Sequence, residues 1–202
     1  MIDIVQQISA VSREVAADTE TAKVTVQRRY PADVSDVWSA ITDPERVRRW
    51  FLPLTGDLRA GGDFELEGHV GGRIITCDPP AHLVVTFGGE DSLVDVRLSA
   101  EESETLLLLE HSVPISLAGS SAGALYVGPG WDGALMSVAL YLDGQISGNP
   151  FAAANTPEAQ QFSLQSIDAW TAAVQAAGNA DSDAISAARQ AALAQFAPDL
   201  AS

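Results

Sequence analysis

Apolar residues change their spacing several times along this chain, and each change marks an element. Ile4, Val5, Ile8, Val11 and Val15 recur at near-helical intervals, which predicts a short amphipathic helix over residues 1–17. From Lys23 to Tyr30 apolar and polar residues alternate, the signature of a half-buried strand, and Pro31 ends it. Asp33 is placed to cap a helix whose Val34, Val37, Trp38 and Ile41 share one face. Thr42-Asp43-Pro44-Glu45 opens another, with proline at its first position and Val47, Trp50 and Phe51 on its apolar side.

From Pro53 to His111 the texture is strand and hairpin. Strands are predicted over 54–58, 63–69, 73–77, 82–87, 92–99 and 105–111, with turns at Gly61-Gly62, Gly71-Gly72, Asp78-Pro79-Pro80, 88–91 and 100–104. Such short connections favour an antiparallel meander. Residues 112–130 are small and glycine-rich and read as a mobile connection or lid. Trp131, Leu135, Val138 and Leu142 then fall on one helix face before Gly144. After Asn149-Pro150 the chain turns alanine-rich. Thr156 and Pro157 open a helix with a Phe162, Ile167, Trp170 and Val174 stripe, closed by Gly178, and 181–196 forms a second helix with Ile185, Ala188, Ala192 and Phe196 on one side.

Composition narrows the setting. The 202 residues carry a formal charge of −16, and ten of the eleven basic residues lie at or before Arg97. A nucleic-acid backbone or an anionic membrane surface would be repelled, so neither is an expected partner. Cys77 stands alone, which excludes an intramolecular disulfide and a cysteine-cluster zinc site. The N-terminus has no basic stretch leading into an apolar block, and no run approaches the roughly 18 apolar residues of a membrane span. A cytoplasmic location is the expectation.

Taken together, Arg29-Tyr30-Pro31-Ala32, Asp36-Val37-Trp38-Ser39-Ala40, Thr42-Asp43-Pro44-Glu45-Arg46 and Arg49-Trp50-Phe51 resemble the opening of the activator-of-heat-shock-ATPase homologue family. The likeness continues through Leu58, Gly61-Gly62, Gly72, Asp78-Pro79-Pro80, Leu83, Thr86-Phe87, Thr105 to His111, and the Gly130-Trp131 helix ending Tyr141-Leu142. That family belongs to the START-like, or SRPBCC, superfamily. The resemblance implies an α+β helix-grip fold: a curved antiparallel sheet of six or seven strands around a long C-terminal helix, with a cavity between. Residues 1–148 would form this domain with an N-terminal helix. Residues 149–202 would be an alanine-rich helical extension packed on it.

Within that fold the expected cavity residues are Trp38, Trp50, Phe51, Phe64, Leu66, Phe87, Val96, Leu107, Leu109, His111, Trp131 and Leu135. His111 shares parity with Leu107 and Leu109 and so faces the same side. It is the one candidate acid/base, although a core-edge histidine bonded to a backbone carbonyl is the preferred reading. Glu65, Glu67 and His69 alternate on one strand, yet Phe64 and Leu66 take its apolar face, so no metal site is expected. Arg28, Arg29, Arg46, Arg48 and Arg49 form the basic concentration; pairing with local acids such as Asp43 and Glu45 is preferred over anion binding. Gly119-Ser120-Ser121-Ala122-Gly123 lacks the strand and helix of a nucleophile elbow and reads as linker. The leading function is non-catalytic binding of a small apolar or amphipathic molecule, with no cofactor. The alternatives are a START-like cyclase, dehydratase or hydrolase using His111, or a protein-binding regulator associated with stress or chaperones. The stripes on the last two helices are expected to cover the chain's own surface, with a homodimer through the same helices as the second choice.

Overall fold

A computed structural model describes residues 2–146 and 156–201. The domain boundary expected at 148/149 lies outside the described residues. Among those residues eight strands form one curved antiparallel sheet. They are β1 (Val11–Ala17), β2 (Thr21–Tyr30), β3 (Leu54–Gly56), β4 (Asp63–Leu66), β5 (Val70–Asp78), β6 (His82–Thr86), β7 (Leu93–Glu101) and β8 (Glu104–Pro114), in the order β1-β2-β8-β7-β6-β5-β4-β3. The helices are α1 (Ile4–Ser9), α2 (Val34–Thr42), α3 (Pro44–Val47), α4 (Ile115–Ala118), α5 (Gly128–Leu142), α6 (Pro157–Ala177) and α7 (Ser182–Phe196). The chain divides into two compact units. One takes residues 1–26, 112–136 and 152–202, the other 27–111 and 137–151.

In the first unit the predicted N-terminal helix stops early. Asp3 caps α1 by accepting from the Gln6 amide, and α1 ends at Ser9. From Val11 the chain is strand, with Val11 and Val15 buried and their neighbours exposed. Residues four apart share a face in both a helix and a strand, so apolar spacing alone does not separate the two. The β-branched valines favour the strand.

The strand also aims Arg13 inward, between the two valines. Its Nε donates to both carboxylate oxygens of Asp132 on α5, at 3.1 and 2.8 Å, and its Nη1 donates to the carbonyls of Ile8 and Val11. Ser166 Oγ and Trp170 Nε1 of α6 donate to the same carboxylate. Asp132 and Trp170 are fully buried. Burial pushes the Asp132 carboxyl up, against the opposing pull of Arg13 and the two other donors.

Residues 112–130 are not a loose lid. β8 runs on to Pro114, α4 follows, and a 3₁₀ helix at Ser121–Tyr126 is capped by Ser120 and buries Ser121, Ala122, Ala124 and Leu125. The small residues serve close packing rather than motion. At Gly128 a Cβ would lie 2.4 Å from the Trp170 ring, a separation no side chain tolerates. Thr156 caps α6 and Gly178 ends it at φ +71°, as the sequence predicts, and Asp181 caps α7 by accepting from the Ala184 amide. Gln160 closes the unit's C-terminus through Asp199, to whose carboxylate its Nε2 donates at 2.7 Å.

In the second unit α2 and α3 occur where predicted. Asp33 occupies the cap position without a side-chain bond, whereas Asp43 Oδ1 accepts from the Glu45 amide. Trp50 folds back after α3, and its Nε1 donates to the Ala40 carbonyl at 2.9 Å. One turn differs from the prediction. Gly71 and Gly72 lie inside β5, opposite Glu65 and Phe64, and the chain reverses at Glu67-Gly68-His69 instead. Gly72 is needed for close approach, since a Cβ there would sit 1.9 Å from the Thr86 carbonyl oxygen. Gly68 makes the turn at φ +68°. Val94, Val96 and Leu98 of β7 and Thr105, Leu107, Leu109 and His111 of β8 form the buried rows of the sheet.

Candidate functional site

Four of the predicted residues meet in one continuous row within the second unit, and a fifth ring joins them. Trp50 stacks on Phe51 with centroids 5.5 Å apart and planes at 25°. Phe51 meets His69 edge-on at 6.2 Å, His69 meets Phe87 at 6.4 Å, and Phe87 meets His111 at 6.1 Å. Edge-to-face contacts in this range are favourable because ring edges are electropositive and faces electronegative. Exposure grades along the row. Trp50 and His111 are buried, Phe51 and Phe87 half-buried, and His69 exposed.

Each member is placed by its element. The α3 turn swings Trp50 and Phe51 to the same side, and the 67–69 turn lifts His69 between Phe51 and Phe87. Phe87 follows β6, and His111 closes the buried row of β8. At that end Ser92 Oγ lies 2.9 Å from His111 Nε2. One partner of the ring is thus a serine hydroxyl. Ser92 has the parity of Val94, Val96 and Leu98, the one sequence signal that it faces inward. Burial pushes the His111 imidazole down to about 4, so it is neutral at physiological pH.

Other predicted residues are placed separately. Trp38 is buried on α2, Phe64 half-buried and Leu66 buried on β4, and neither Trp38 nor Phe64 has ring contact with the row among the described residues. Val96, Leu107 and Leu109 are buried in β7 and β8. Trp131, half-buried, and Leu135, buried, lie on the part of α5 that belongs to the first unit. Glu65 is on β4 while Glu67 and His69 are in the turn, so the three do not share a strand face. His82 pairs with Asp95 at 3.1 Å, on the positions of β6 and β7 that alternate with the buried ones. Three of the arginines pair with acids: Arg29 with Glu101, Arg46 with Asp36 and Arg48 with Glu45. No helix among the described residues is long and apolar enough to cross a membrane.

Known proteins set these features in context. No curated protein matches the chain. The crystal structure of CalU16 from Micromonospora echinospora shares 36% identity, with 82% of this chain and 98% of that chain covered and a TM-score of 0.68. Its solution NMR structure gives 35%, 83%, 97% and 0.69. DynU16, a protein in the dynemicin biosynthetic locus, shares 25% identity over 66% of this chain and 49% of its own, with a TM-score of 0.54. The fold is the START-like, or SRPBCC, fold. The family model of Activator of Hsp90 ATPase homolog 1-like proteins matches residues 31–143, and the chain belongs to that family.

Proposed function

We propose that the row from Trp50 to His111 binds a small hydrophobic or amphipathic molecule without covalent chemistry. The observation that carries this reading is the unbroken succession of five rings, buried at both ends and accessible at His69. Apolar lining with a few polar groups is what small-molecule sites share. Here Ser92 and His111 supply the polar end, and they can orient a ligand oxygen or nitrogen while the rings take its apolar body. The family membership and the place of DynU16 in a biosynthetic locus fit a small organic ligand.

The Ser92–His111 distance also suits a nucleophile and its base, the one observation favouring catalysis. The imidazole's lowered pKa of about 4 argues against that role. A base so weak takes little of a serine proton at neutral pH. The test is native mass spectrometry of the purified protein, followed by titration with an apolar fluorescent probe. Binding by the wild-type protein, weakened roughly tenfold in Phe87→Ala with the fold intact, supports the reading. Equal binding by both proteins removes the row from the site.

A further inference from the structure

The three arginines in and after α3 are used unequally. Arg46 donates from Nη1 to Asp36 at 2.7 Å and from Nε to the Tyr141 hydroxyl at 3.1 Å, with its guanidinium 5.3 Å from the Tyr141 ring centre. Arg48 donates to Glu45 at 2.6 Å. Arg49 is exposed, and its side chain has no hydrogen bond or ion pair among the described residues. Arg48 and Arg49 line a recess of about 460 Å³ together with Tyr141, Gly144 and Ile146.

This recess lies at the C-terminal end of α5, where cations often complement unsatisfied carbonyls. That task is already done by the backbone. The Gln145 amide donates to the Leu140 carbonyl at 2.8 Å, and the Gly144 amide to the Tyr141 carbonyl at 3.0 Å, with Gly144 at φ +68°. This is the Schellman pattern, and it leaves the arginines without a capping role at those carbonyls. The Tyr141 hydroxyl accepts from Arg46, and its own proton has no acceptor among the described residues. A charged fork and a hydroxyl donor thus share one recess with the apolar side chain of Ile146.

We propose that this recess binds a small organic carboxylate. The Arg49 guanidinium takes the charge, for which its planar fork is the matched partner. The Tyr141 hydroxyl supplies the directional donor, and Ile146 and the Tyr141 ring face the apolar body. Asp143, exposed beside Gly144, opposes a doubly charged group and favours a monoanion.

The experiment uses para-fluorobenzoate as the probe and para-fluorobenzamide as its neutral counterpart, both followed by fluorine NMR against the full chain. The expected result is binding of the benzoate, with the amide and the Arg49→Gln protein each weaker by roughly tenfold or more. Arg189→Gln, which removes an arginine paired with Asp168 in the other unit, is expected to leave benzoate affinity unchanged. Circular dichroism confirms that both variants fold. Absence of benzoate binding overturns the proposal. Equal affinity for the amide, undiminished binding by Arg49→Gln, or equal weakening in Arg189→Gln also overturns it.

Discussion

Replacing Asp132 by alanine should be among the most damaging single changes in the first unit. Its carboxylate takes two bonds from Arg13 Nε and one each from Ser166 and Trp170, and it is entirely buried. The Arg13 side chain is only 8% exposed, so it cannot recover its hydration when the acid is gone. Breaking one side of a buried pair costs about 3–5 kcal/mol because the remaining charge stays buried and uncompensated. A typical domain has only about 5–15 kcal/mol in total. Arg13→Met leaves the mirror-image defect and should cost a similar amount. The double variant Arg13→Met with Asp132→Ala removes both charges, so no buried charge is left unpaired and the double should cost well under the sum of the singles. Urea unfolding of the four proteins, followed by circular dichroism, gives the coupling energy of the cycle. We expect coupling of at least about 2 kcal/mol. A loss below about 1 kcal/mol for Asp132→Ala, or a double variant costing the sum of the singles, refutes the reasoning.

Trp170→Ala should cost about 3–5 kcal/mol, since the indole is fully buried and hydrogen-bonded within its own chain; the melting temperature should not become concentration-dependent. Gly128→Ala forces a methyl to 2.4 Å from that indole and should lower stability by about 1–3 kcal/mol in the same urea assay. His111 gives a pH signature. With its folded value near 4 against 6.5 when unfolded, the unfolded chain binds more protons between those limits, so stability falls on acidification across that window. The loss should approach about 3 kcal/mol, and His111→Gln should remove that part of the pH dependence.

How much of this was readable in advance follows from the range of each signal. α3 and α6 carry a capping side chain and a first-turn proline, α2 an apolar face at helical spacing, α7 an alanine-rich run, and β7 and β8 alternate cleanly, so local chemistry defines them. β1 was obscured because Val11 and Val15 satisfy two periods at once. The turn at 67–69 was obscured because the glycine pair beside it serves close strand approach. In the site, parity placed His111 beside Leu107 and Leu109, and aromatic character marked Trp50, Phe51 and Phe87. Parity also pointed Ser92 inward, but nothing local announced that it would meet His111. His69 joined the row only through the true turn position. Arg13 and Asp132 stand 119 residues apart, and a single long-range charge pair leaves no periodic trace. The CalU16 coverage, 82% of this chain, exceeds the stretch matched by the family model, so that relative shares more than the family's common part.

The central claim is that the ring row is the binding site, and the three histidines offer a built-in comparison. His69 and His111 belong to the row, whereas His82 pairs with Asp95 on positions alternating with the buried ones. An NMR titration of the imidazole signals with the apolar probe should move His69 and His111 in saturable fashion and leave His82 in place. Movement of His82 alone, or no response at either row histidine while the probe binds, would contradict the account.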